Sequence, residues 1–68
     1  MESQTIYLRK IDNKQDKLQI ERTLSQIIGV NHVSVEIEKA QVFIEFETPA
    51  SLNNLEKDLY DLGFEILY

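Results

Sequence analysis

The sequence holds no cysteine, and only one histidine, one methionine, one proline and two glycines in 68 residues. Without cysteine there is no disulfide to staple a small fold and no thiolate to grip a soft metal ion. The same absence agrees with reducing, intracellular surroundings. A single imidazole builds neither a metal site nor a catalytic dyad, so His32 reads as a surface residue. Two isolated glycines make no phosphate-cradling loop, and there is no Ser/His/Asp grouping and no carboxylate pair with an evident cleft. No enzyme is expected from such a set, and no cofactor. No apolar run approaches the roughly 20 residues that cross a bilayer. Met1-Glu2-Ser3-Gln4 carries no basic segment leading into an apolar one, so no secretory signal is read there and the expected compartment is the cytoplasm.

Basic residues are also few: seven against twelve acids, a net charge of −5. They are unevenly placed. Residues 1–28 carry +1, with Arg9, Lys10, Lys14, Lys17 and Arg22 gathered near one loop, whereas residues 29–68 carry −6. An acidic surface keeps a small protein soluble, and the basic end is the part suited to an acidic partner.

What is present is a clean alternation of periods. Residues 5–9 alternate, with Ile6 and Leu8 to one side, as a half-buried strand does. A polar loop, Ile11-Asp12-Asn13-Lys14-Gln15-Asp16, runs into a helix whose apolar stripe is Ile20, Leu24, Ile27 and Ile28. Asp12 or Asn13 suits its N-cap and Gly29 its end. Val33, Val35 and Ile37 alternate with His32, Ser34, Glu36 and Glu38 in a second strand. After a polar hairpin at 38–41, Val42, Ile44 and Phe46 face in while Phe43, Glu45 and Glu47 face out. Thr48-Pro49-Ala50-Ser51 breaks this strand, and Ser51 is placed to cap a second helix with Leu52, Leu55, Leu59 and Leu62 inward. Gly63 stops that helix before a last strand at 64–68.

The order βαββαβ, with one apolar stripe per helix and one apolar face per strand, predicts an α+β fold of the ferredoxin-like type. It consists of an antiparallel four-stranded sheet, order 4-1-3-2, with two helices on one face, over residues 1–68 as a single domain. The helices leave the other sheet face open. Tyr7, Phe43 and Leu67 are its apolar groups, expected side by side on neighbouring strands, as a dimer or partner surface.

The set Gly29-Val30-x-x-Val33-x-Val35-x-Ile37, Val42-x-Ile44-x-Phe46 and Leu59-x-x-Leu62-Gly63-Phe64-Glu65-Ile66 resembles the heavy-metal-associated domain. That domain forms small copper chaperones and the N-terminal extensions of metal-pumping ATPases. Its metal motif, Met-x-Cys-x-x-Cys, falls on Ile11, Asn13 and Asp16 here, so both thiolates are missing. Amide and carboxylate oxygens do not replace thiolates around a soft cation. Nor does a loop with Lys10, Lys14 and Lys17 gather the six to eight oxygens of a calcium site. The chain departs from the pattern again at Ala40, where the family's hairpin often has glycine.

The resemblance implies partner docking through the loop and exposed helix face: Arg9, Lys10, Asn13, Lys14, Lys17, Leu18 and Arg22. The function expected is thus a non-catalytic domain that acts by protein contact within metal transport or homeostasis. Two alternatives stay open: a metal-trafficking protein that borrows ligands from a second chain, and a binder of single-stranded nucleic acid through Tyr7 and Phe43. The outward Glu36, Glu38, Glu45 and Glu47 speak against the latter.

Overall fold

The computed structural model describes residues 1–67. Its elements are β1 (Glu2–Leu8), α1 (Lys14–Ser25), β2 (Val30–Glu36), β3 (Gln41–Phe46), α2 (Leu52–Asp61) and β4 (Ile66–Leu67). The sheet order is β2-β3-β1-β4, the expected 4-1-3-2 read from the other edge, and every pairing is antiparallel.

One core lies between the sheet and the helices. Ile6 and Leu8 of β1, Val35 of β2 and Val42, Ile44 and Phe46 of β3 meet Ile20 and Leu24 of α1 and Leu55 and Leu59 of α2, all buried. The alternation along β3 is the cause: every second side chain of a strand points to the same face. Ile11 is buried beneath the loop and Ala50 beneath the β3–α2 connection. No buried charged or polar residue occurs among the described residues.

Several boundaries differ from the sequence pattern, each for a physical reason. β1 begins at Glu2, earlier than expected, because Glu2, Ser3 and Gln4 pair with Phe46, Glu45 and Ile44 although they carry no apolar alternation. β2 begins at Val30 and has a bulge between Val30 and His32, which turns His32 to the outer face opposite Glu45. β4 is two residues long rather than a strand from 64 to 68, and position 68 lies outside the described residues.

The end of α1 is the main correction. The helix stops at Ser25 with Gln26 as its C-cap, so the 3.6-residue period does not continue through Ile27 and Ile28. Ile27 is half-buried against the core, but Ile28 is 79% exposed and is no part of the stripe. Gly29 does not cap the helix. It is the third residue of a turn closed by the Val30 N–H donating to the Ile27 carbonyl at 3.1 Å, where φ is +100°.

Gly63, also at φ +100°, does end α2. Its N–H donates to the Tyr60 carbonyl at 2.9 Å and the Phe64 N–H to the Leu59 carbonyl at 3.1 Å, the paired bonds of a Schellman motif. The hairpin residue Ala40 has φ +51°, a left-handed backbone that explains why glycine suits this turn.

Candidate functional site

The loop between β1 and α1 is held by its own side chains. Asn13 is the N-cap of α1, in extended conformation, and its Oδ1 accepts from the Asp16 backbone N–H at 3.0 Å. Asp16 reciprocates: its Oδ2 accepts from the Asp12 N–H at 3.1 Å. Asn13 thus closes one orphan donor of the helix start, and Asp16 reaches back past the N-cap to the N–H before it, a wider form of the capping box. Asp16 also places a negative charge in the first turn, where the helix dipole favours it. The Asn-x-x-Asp spacing from 13 to 16 is the sequence signal that points to this pair.

Two exposed ion pairs flank the box. Lys10 Nζ lies 3.1 Å from Asp12 Oδ1, and Arg9 Nη1 lies 3.4 Å from Glu65 Oε2. The Arg9 N–H also donates to the Glu65 carbonyl at 2.8 Å, which ties the loop to the segment leading into β4. Exposed pairs of this kind contribute about 0–1 kcal/mol each, so their meaning is positional. An open depression of about 350 Å³ lies between the two segments, lined by Arg9, Lys10, Asp12, Asp16, Gln19 and Phe64 among others.

The basic group therefore divides. Arg9 and Lys10 are engaged with acids of the same chain. Lys14, Leu18 and Arg22 stand at i, i+4 and i+8 on the outward side of α1, all exposed, with Leu18 at 57%. Lys17 is half-buried beside them.

The positions that match the family's cysteines, Asn13 and Asp16, offer only hard oxygen donors, and each already accepts a backbone hydrogen bond. This donor set does not fit a soft cation. No three His, Cys, Asp or Glu side chains converge anywhere among the described residues.

On the open sheet face Tyr7, Phe43 and Leu67 are exposed, at 49%, 37% and 47%. Tyr7 faces Leu67 across β1 and β4, as expected. Phe43 is not on the same rung: it faces Thr5, and Gln41 faces Tyr7. The three apolar groups are staggered, because the β1–β3 register sets Phe43 two residues along from the partner of Tyr7. Another exposed apolar residue, Tyr60, was not singled out from the sequence, since a lone outward side chain leaves no periodic signal.

No family model matches the chain. Curated relatives do. The chain is 34% identical over 47 residues to a COP-associated protein of Helicobacter felis, which covers 69% of this chain and 71% of that protein. It is 35% identical over 48 residues to the COP-associated protein of Helicobacter pylori strain J99, covering 71% and 73%. Among solved structures, the CsoZ metallochaperone superposes with a TM-score of 0.95 at 37% identity over 98% of this chain and 97% of that one. This chain belongs to the heavy-metal-associated, small copper-chaperone family. The solution structure of apo-CopP from Helicobacter pylori is a further neighbour of this heavy-metal-associated domain, with a TM-score of 0.86 at 29% identity over 97% of this chain and all of that one. The CopZ metallochaperone, at 18% identity and a TM-score of 0.93, shares the fold. The domain is thus a family member that carries no cysteine in its metal loop.

Proposed function

We propose that this heavy-metal-associated domain works in metal homeostasis by docking to a protein partner, without catalysis and without gripping the metal through its own loop. The metallochaperone and COP-associated relatives support the setting. The observation that carries the reading is the capping box: both residues at the cysteine positions spend their side chains on the start of α1. The docking surface is the outward stripe Lys14, Leu18 and Arg22 with Lys17 beside it, a cationic strip with one apolar group, suited to an acidic partner surface. Arg9 and Lys10 border it and position the loop. The cytoplasm is the compartment that suits this role, and no helix among the described residues is long and apolar enough to cross a membrane.

The test is a titration of the purified protein with Cu(I), Zn²⁺ and Cd²⁺ followed by amide NMR shifts. Residues 12–17 stay unmoved if the reading holds. Tight, saturable binding that shifts them overturns it. A recovered partner should then bind less tightly as salt rises, and less tightly still after Lys14→Glu with Arg22→Glu.

A further inference from the structure

The sheet has two edges, and they are not equivalent. Among the described residues β4 spans two, while β2 spans seven and pairs to β3 on one side and to no strand on the other. A strand edge presents unpaired backbone donors and acceptors, and natural edges are usually guarded by lysine, proline or a covering segment. β2 contains neither lysine nor proline. Its bulge lies at Val30/His32, which leaves residues 32–36 regular.

Those five residues read His32-Val33-Ser34-Val35-Glu36. The segment is self-complementary about Ser34. Val33 and Val35 point to the core side, half-buried and buried, and His32, Ser34 and Glu36 are exposed on the open face. Two copies set antiparallel with their Ser34 residues opposed place Val33 against Val35 of the second copy and His32 against its Glu36, each twice. Apolar meets apolar on one face, and a titratable base meets an acid on the other. Shifting the pairing so that Val33 opposes its own copy loses both His–Glu pairs.

We propose that β2 is a homodimer edge: a second copy of this chain pairs with residues 32–36 about a two-fold axis at Ser34, joining two four-stranded sheets into one of eight. The pairing is isologous, so it closes at two copies and does not propagate. It leaves the cationic strip of α1 out of the pairing and stands independently of the docking reading. On the same face His32 also lies opposite Glu45 of β3, so the imidazole has an acid on either side in the dimer.

Sedimentation equilibrium across micromolar to millimolar protein tests this, with amide hydrogen exchange on the same samples. The wild-type chain shows a monomer–dimer equilibrium, and protection of residues 32–36 rises with concentration. Ser34→Lys sets two like charges directly opposite each other at an exposed position and weakens the dimer by about tenfold or more. Glu36→Lys weakens it as well, whereas His32→Glu combined with Glu36→Lys restores it by exchanging the signs. A chain that stays monomeric at millimolar concentration overturns the proposal. So does a dimer that Ser34→Lys leaves intact and Phe43→Ser dissolves, which moves the interface to the open face. If Ser34→Lys unfolds the chain, the concentration dependence of wild-type exchange at residues 32–36 decides.

Discussion

Gly29 and Gly63 share a backbone angle and differ in what surrounds them, so together they separate two costs that are usually mixed. Both have φ +100°. A Cβ on Gly63 meets nothing within 4 Å, whereas one on Gly29 runs into the Glu47 carbonyl oxygen and falls 2.9 Å from the Ala50 nitrogen. Gly63→Ala therefore bears only the left-handed backbone penalty, about 1–2 kcal/mol. Gly29→Ala bears that and a steric conflict with main chain, which cannot rotate away as a side chain would. Relief requires the α1–β2 turn to move off β3, which breaks the bond from the Glu47 N–H to the Gly29 carbonyl, 2.8 Å long and worth about 0.5–1.5 kcal/mol. The expected loss at Gly29 is thus about 1.5–3.5 kcal/mol, a large part of the roughly 3–10 kcal/mol that a chain of this length commands. In thermal melts that corresponds to a fall in Tm of about 6–28 °C, against about 4–16 °C for Gly63→Ala. Urea unfolding followed by far-UV circular dichroism gives the same comparison. Equal losses at the two glycines would refute the reasoning.

Other substitutions probe the remaining features. Ala40→Gly relieves the left-handed hairpin residue and should raise stability by about 0.5–1 kcal/mol in the same urea assay, net of glycine's unfolded-state entropy. Asn13→Ala opens the capping box and should cost about 1 kcal/mol, with faster amide exchange at the start of α1. Leu55→Ala empties a fully buried site under α2 and should cost about 2–5 kcal/mol, enough to leave much of the protein unfolded at 37 °C. Asn13→Cys combined with Asp16→Cys returns thiolates to the loop. The double variant should bind Cd²⁺, seen as thiolate-to-metal absorption in the ultraviolet, where the parent shows none.

The fold could be read from the sequence because each strand carries the two-residue period on a single apolar face. Val42, Ile44 and Phe46 are the clearest case, and all three are buried. Helix α2 was equally plain, with Ser51 accepting from the Asn54 N–H at its start and Gly63 at its end. The pattern misled where an element ended early: Ile28 continues the numerical period of α1 but sits in a turn, past the last helical hydrogen bonds. It was silent where pairing rather than burial makes the strand, as at Glu2 and Ser3. At the loop, the missing thiolates were legible from residue identity alone, whereas the N-cap was narrowed only to Asp12 or Asn13, and the backbone conformation selects Asn13. The Arg9–Glu65 pair was not, since it joins residues 56 positions apart and depends on how β4 meets β1. The stagger of Phe43 against Tyr7 was hidden for the same reason: strand order follows from topology, but register follows from turn geometry.

The capping box has a consequence for how this domain behaves under stress. A thiol-bearing loop can be oxidised, and a frame completed by bound cargo gains stability as the cargo becomes abundant. Here the loop is closed by amide and carboxylate oxygens of the chain itself. Peroxide finds no sulfur there to attack. The bonds that close this end of the molecule hold no group that changes its oxidation state.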